Sequence, residues 1–173
     1  MNSIHISYLY AYLLKSGRPQ SLDHAQIITT GLVGDRDFAV IDDGGSMLTA
    51  REYPMLLEVE AKIMDDHIYF KCKGDFITVP RKTGSSKTRT GILFGQTVGG
   101  LELDDSIQKW FSKCMGVSCH VVEINAVYMR QMEGQSIDIT YTDAAPILLT
   151  SEASLRDLNN RMTLPVGMNR FRP

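Results

Sequence analysis

Apolar residues along this chain fall into short blocks punctuated by glycine, proline and aspartate. The first block, residues 3–14, is rich in Ile, Leu and Tyr and predicts a buried strand that breaks off at Lys15-Ser16-Gly17-Arg18. Residues 25–30 predict a short strand ended by Gly31, with Gly31-Leu32-Val33-Gly34 as a turn. Phe38-Ala39-Val40-Ile41 predicts another strand. Asp42-Asp43-Gly44-Gly45 is a hairpin signal, because Asp-Gly supplies the positive φ that tight turns need. Met47-Leu48-Thr49 would return from it, and Pro54 would stop the ladder. Residues 57–64 alternate apolar and polar, the period of a half-buried strand. Ile68-Tyr69-Phe70 and Phe76-Ile77-Thr78-Val79, then residues 90–94 and 97–103, continue the series, with Gly95 and Gly99-Gly100 as turns or bulges.

The period changes after Asp104-Asp105. Ile107, Trp110, Phe111 and Cys114 follow the spacing of one buried helix face. Asp105 is the expected cap, Gln108 its capping-box partner and Gly116 the stop. Residues 120–124 read as a strand, 125–142 as a long loop and 144–149 as a further strand. Thr150-Ser151 would cap a second helix with Leu155, Leu158 and Met162 as its buried stripe, ended at Leu164-Pro165. Many short strands and two late helices predict a mainly β (α+β) chain, an antiparallel barrel or sandwich and not a βαβ fold. A shift in composition near residue 125 divides it into residues 1–124 and the start of a second, incomplete β-domain at 125–173.

Composition narrows the function classes. The 173 residues are 43% apolar and 22% charged, enough for a real core. A net charge of −2 gives no global reason to expect nucleic acid or an anionic membrane as partner. Three cysteines without a close-spaced pair argue against a disulfide framework and favour a reducing, cytoplasmic setting. His5, His24, His67 and His120 are scattered, so spacing yields no metal site. No apolar run approaches the roughly 18–20 residues that span a bilayer.

Two stretches carry candidate chemistry. In Lys15-Ser16-Gly17-Arg18 a hydroxyl and a glycine lie between two cations where a strand leaves the core. Gly17 permits close approach or positive φ, and turn amides can form a concavity for an anion such as phosphate. The competing reading is a solvated strand end. The second stretch is the basic segment Arg81, Lys82, Lys87 and Arg89, either a partner-binding loop or a solvated connection. Three function classes stay open on the residues alone: an enzyme, a non-catalytic β-barrel binding module, and a β-rich domain whose charges only solvate it.

Several stretches taken together resemble one family. Leu14-Lys15-Ser16-Gly17-Arg18, then Gly31-Leu32 with Gly34-Asp35-Arg36, then Asp42-Asp43-Gly44 with Leu48-Thr49-Ala50-Arg51-Glu52-Tyr53-Pro54, are similar to the MOSC N-terminal β-barrel domain. Leu148-Leu149-Thr150-Ser151-Glu152-Ala153-Ser154-Leu155 with Asp157-Leu158-Asn159, and Met168-Asn169-Arg170-Phe171-Arg172-Pro173, resemble the opening of the MOSC domain itself. The resemblance implies binding of a molybdenum cofactor (molybdopterin) and reduction of small N-hydroxylated substrates. Electrons would come from a flavin/haem partner or a ferredoxin-like domain. It also implies, as an alternative, sulfur handling alongside pyridoxal-phosphate enzymes.

By the same resemblance, Lys15, Ser16, Arg36, Asp143, Ala144 and Arg172 would hold the cofactor. The sequence departs from the family at Tyr12-Leu13-Leu14, where Tyr-Pro-Val is usual, and at Ala144-Ala145, where hydroxyl side chains are usual. The cysteine that ligates molybdenum in the family is expected beyond residue 173, and none of Cys72, Cys114 or Cys119 takes its place. The chain is therefore expected to be a fragment with little or no reductase activity, and no catalytic or metal-binding residue is assigned within it.

Overall fold

A computed structural model describes residues 4–81 and 87–173. In chain order the strands are β1 (Tyr10–Ala11), β2 (Gln20–Ser21), β3 (Ile27–Ile28), β4 (Gly31–Leu32), β5 (Phe38–Asp42), β6 (Glu60–Met64), β7 (His67–Cys72), β8 (Asp75–Pro80), β9 (Thr88–Leu93) and β10 (Gln96–Glu102). Helix α1 (Asp105–Met115) precedes β11 (Cys119–Ile124), β12 (Arg130–Gln131) and β13 (Asp138–Ile139), and α2 (Glu152–Asn160) follows. The main sheet runs β5-β11-β10-β9, a second runs β6-β7-β8, and β1-β2, β3-β4 and β12-β13 are two-stranded. The ladders are antiparallel. The chain is thus mainly β with two helices.

The sequence pattern explains the layers. β5 is apolar at four successive positions because both of its faces are covered. Phe38 and Val40 enter one core cluster, with Phe70, Val121, Ile107 and Phe111. Ala39 and Ile41 enter a second, with Val98, Val122 and Tyr141. In the first cluster Phe70 meets Phe38 edge-on at 6.1 Å and Phe111 edge-on at 5.0 Å, which locks the two larger sheets and α1 together. The second face is closed by Tyr141, whose hydroxyl donates to the Gly99 carbonyl at 2.7 Å.

Several local expectations are corrected. Among the described residues of that first block, 4–14, only Tyr10–Ala11 forms a strand, and residues 4–7 are exposed. Gly31-Leu32 is not part of a turn but the return strand of a small hairpin with Ile27-Ile28. The alternation from 57 begins as a 3-10 turn, Pro54–Glu58, and becomes a strand only at Glu60. Gly99 and Gly100 are neither turn nor bulge. Both lie within the β10 ladder, where an added Cβ on Gly100 would stand 2.1 Å from the Glu123 carbonyl oxygen. Asp104, not Asp105, caps α1 by accepting from the Ser106 amide. Gln108 is no capping-box partner: it is buried, donating to the Leu103 and Val121 carbonyls and accepting from the Val121 amide.

The later segments differ too. Residues 125–142 hold the β12-β13 hairpin and the buried run Ile139, Thr140, Tyr141 and Thr142. Residues 144–149 form no strand, and Leu149 is 89% exposed. Helix α2 has its Ser151 cap but buries no residue.

Asp37 has an electrostatic cost. Its carboxylate lies 3.9 Å from the Arg81 guanidinium, which sits closer, 3.1 Å, to Glu123. Burial pushes the Asp37 carboxyl up from 3.8 to about 6, with Arg81 opposing and Glu123 and Asp35 reinforcing. Between those values the folded chain holds a proton that the unfolded chain has released, so stability falls as pH rises through the window.

Two outcomes are expected. Gly100→Ala should lower the unfolding free energy by the upper end of the roughly 1–3 kcal/mol typical of overpacking, since backbone must move. Asp37→Asn should exceed the parent in stability at pH 8, by up to about 3 kcal/mol, with the difference vanishing near pH 4. Urea titrations at the two pH values measure both.

Candidate functional site

Three segments distant in sequence are tied together by their backbones. The Tyr12 amide donates to the buried Asp35 carboxylate at 2.7 Å. Arg36 N donates to Tyr12 O, Phe38 N to Leu13 O and Lys15 N to Phe38 O, at 2.7, 3.0 and 2.7 Å. On the other side the Thr140 hydroxyl donates to Asp35 O at 3.1 Å and Tyr141 N to Arg36 O at 3.3 Å. Residues 35–38 therefore run between 12–15 and 140–141, and side chains from all three segments converge.

Lys15 is buried, at 6% exposure. Its ammonium donates to Tyr141 O at 2.7 Å and to Asp143 Oδ1 at 2.6 Å. Burial holds its pKa below the usual lysine value; Asp143 opposes this, and Arg130 and Arg36 add to it. For Asp143 burial acts to raise the pKa, but Lys15, Arg36 and Arg51 outweigh it and hold the carboxyl below its usual range.

Arg36 and Arg172 each place a guanidinium 4.3 Å from the centre of the Tyr12 ring, a close cation–π distance. Arg36 is also paired with the Asp35 carboxylate. Arg172 donates to Gly17 O at 2.9 Å, which fastens residues 168–173 to the Lys15 turn. The Ser16 hydroxyl oxygen accepts from Ala50 N at 3.1 Å, so its O–H remains available as a donor.

The turn differs from its expected form. The left-handed residue is Ser16, φ 64°, while Gly17 is needed for space: a Cβ there would lie 3.0 Å from Leu14 Cβ and from Leu14 O. The amides of Lys15, Gly17 and Arg18 donate to protein carbonyls, so the charge offered to a ligand comes from side chains, not an amide concavity. Backbone conformation marks the same place elsewhere. Among the described residues six non-glycines have positive φ. Asp65, Lys73 and Phe94 sit in the β6-β7, β7-β8 and β9-β10 turns; the other three are Ser16, Arg36 and Arg172, and such residues concentrate at functional sites.

A cavity of about 1040 Å³ opens over this arrangement. Five cationic side chains (Lys15, Arg18, Arg51, Arg170 and Arg172) line it against one carboxylate, Asp143, with Tyr12, Ser16, Thr49 and Phe94 between them. Arg18 is paired with the exposed Glu58. In a chain of net charge −2 this is a local concentration of positive charge, suited to a ligand bearing a phosphate. Of the six residues expected at the site, Lys15, Ser16, Asp143 and Arg172 line the cavity. Arg36 stands behind it on Tyr12, and Ala144 is exposed and outside the lining.

The wall holds no histidine or cysteine. Cys72 and Cys119 are buried in the core, and burial pushes the Cys114 and Cys119 thiols up to about 12 and about 11. Among the described residues no cluster of His, Cys, Asp and Glu could hold a metal. The cavity can thus bind and orient an anion, and redox chemistry there needs a bound group.

Sequence reasoning missed Tyr12, Phe94 and Arg130. Tyr12 carried a signal in its place three residues before Lys15; Phe94 and Arg130 carried none. In the basic segment, Arg81 pairs with Glu123, and Lys87 and Arg89 with the buried Glu102, so these cations serve the fold. Lys82 lies outside the described residues.

The architecture and the site define an antiparallel β-domain with a large, cation-lined cavity. Residues 3–118 match the MOSC N-terminal beta barrel domain, and the chain belongs to that family. The whole chain is similar to mitochondrial amidoxime reducing component 2 from Bos taurus, 31% identical over 97% of this chain and 54% of that protein. It is 26% identical to a molybdenum cofactor sulfurase from rice, over 100% of this chain and 24% of that protein. A solution structure from Bordetella bronchiseptica covers 60% of this chain and 90% of its own at 20% identity, with a TM-score of 0.47. The chain spans about half the length of the amidoxime reducing components it matches. No helix among the described residues is long and apolar enough to cross a membrane.

Asp143→Asn removes the counter-charge and leaves the burial. Lys15 is then expected to titrate at lower pH than in the parent, read from its side-chain ammonium signal by 15N NMR; an unchanged midpoint would mean that Asp143 does not govern it.

Proposed function

We propose that this chain forms the cofactor-phosphate side of a molybdenum-cofactor oxidoreductase of the MOSC family, acting on small N-hydroxylated substrates. The observation that carries the reading is the convergence of Lys15, Arg172 and the Ser16 hydroxyl on one cavity with a large excess of positive charge. A terminal phosphate with nearly two negative charges matches donors of this kind, Arg as a planar fork and Lys as a point charge. Lys15 and Arg172 would hold the phosphate, Ser16 would donate a hydrogen bond and Arg51 and Arg170 would supply charge at the mouth.

The cofactor, when bound, supplies the redox chemistry; the side chains bind, orient and neutralise. The described cysteines lie away from the wall, so a thiolate ligand to molybdenum is not drawn from them. The chain would bind the phosphate end of the cofactor, and reduction would need an electron-transfer partner. Both kinds of named relative, a reducing component and a cofactor sulfurase, fit a role tied to this cofactor, and phosphate capture would serve either.

Co-expression with cofactor synthesis, followed by measurement of bound molybdenum and of released pterin fluorescence, tests the proposal. Lys15→Met and Arg172→Met are each expected to lower loading by about tenfold, the value of one charge-assisted hydrogen bond. Full loading in the double variant would overturn the assignment.

A further inference from the structure

We propose that Arg130 is the positioning residue of this cavity: its buried guanidinium grips the backbone of residues 142–143 and so delivers the Tyr141 carbonyl and the Asp143 carboxylate to the Lys15 ammonium. Arg130 does not itself line the cavity and makes no hydrogen bond to Lys15; it bonds the backbone of Asp143, which does line it, and no sequence motif marks it.

The first observation is burial. Arg130 is 6% exposed, and a guanidinium out of water is retained only where it is well satisfied. Its Nη2 donates to Thr142 O and, at 3.0 Å, to Asp143 O. Its Nε has no partner, so the two carbonyls carry the hydrogen bonding of the group. Those carbonyls belong to the residues immediately after Tyr141 O, the acceptor of the Lys15 ammonium.

The second observation is a ring that both cations approach. The Arg130 guanidinium and the Lys15 ammonium each lie 5.7 Å from the centre of the Phe94 ring. Phe94 has left-handed backbone, φ 51°, at the turn between β9 and β10, and its ring lines the cavity. The third is the chain path. Arg130 opens β12 and pairs with Ile139 of β13, and this hairpin brings it alongside the residues that follow Ile139. From the hairpin's base the Arg130 side chain reaches both carbonyls through its Nη2.

A purely structural arginine would contribute to stability and nothing else, so the test reads the Lys15 ammonium. In 15N-lysine-labelled protein without ligand, hydrogen exchange of the Lys15 ammonium is expected to be about tenfold faster in Arg130→Met than in the parent, as for loss of one hydrogen bond. Arg130→Lys keeps the charge and reports the same acceleration in reduced degree should Arg130→Met not fold. Exchange at the parental rate in a folded variant overturns the proposal.

A second arm rests on the anion reading and uses inorganic phosphate as probe. Arg130→Lys should weaken phosphate in the parent but not further in a Lys15→Met background, because the one residue acts through the other. Additive losses overturn the positioning role. Failure of phosphate to bind the parent would refute the anion reading and leave the ammonium experiment to decide Arg130.

Discussion

An ammonium taken out of water must find partners within the fold or lose its charge. Lys15 is the point where this chain meets that demand. Its partners come from residues 126 and 128 positions further on, the Tyr141 carbonyl and the Asp143 carboxylate. Closing so long a loop costs entropy, and the connection holds because residues 35–38 stand between the two segments and bond to both. The cavity is built where these three segments meet, so binding geometry and long-range topology are set by the same contacts.

Tyr141 joins the core to that geometry. Its ring closes the second face of the main sheet, its hydroxyl reaches Gly99 and its carbonyl receives Lys15. Gly99 and Gly100 keep β10 bare of side chains where the Tyr141 hydroxyl descends; a Cβ on Gly100 would lie 2.7 Å from it. A shift of the tyrosine in the sheet would therefore move the acceptor of the ammonium. On the opposite face the Phe38, Phe70 and Phe111 rings carry packing alone.

Much of the scaffold was legible in the sequence, because local pattern encodes it. The apolar run at Phe38, the alternation after Glu60 and the Ile107, Phe111 stripe each report their own burial. The resemblance to MOSC proteins grouped Lys15, Ser16, Arg36, Asp143, Ala144 and Arg172; Lys15, Ser16, Asp143 and Arg172 line one cavity, Arg36 stands behind it and Ala144 lies outside. What stayed hidden depends on contacts between remote residues. Tyr141 reads as one polar aromatic in a weakly patterned stretch, and Arg130 as an ordinary surface cation, until the hairpin brings them to Gly99 and to Asp143. Residues 144–149 misled in the opposite direction: an apolar run looks like a buried strand, yet Leu148 and Leu149 find no neighbour to pair with.

The left-handed backbone at Ser16, Arg36, Phe94 and Arg172 has a consequence for how this protein can change. Each of these residues holds a conformation that asparagine or glycine adopts with less strain, roughly 1 kcal/mol per position. Replacement by those small residues would relieve backbone strain but remove the Arg36 pairing with Asp35 and the Arg172 hydrogen bond to Gly17. Backbone strain and the side-chain contacts around the cavity are thus tied to the same four positions.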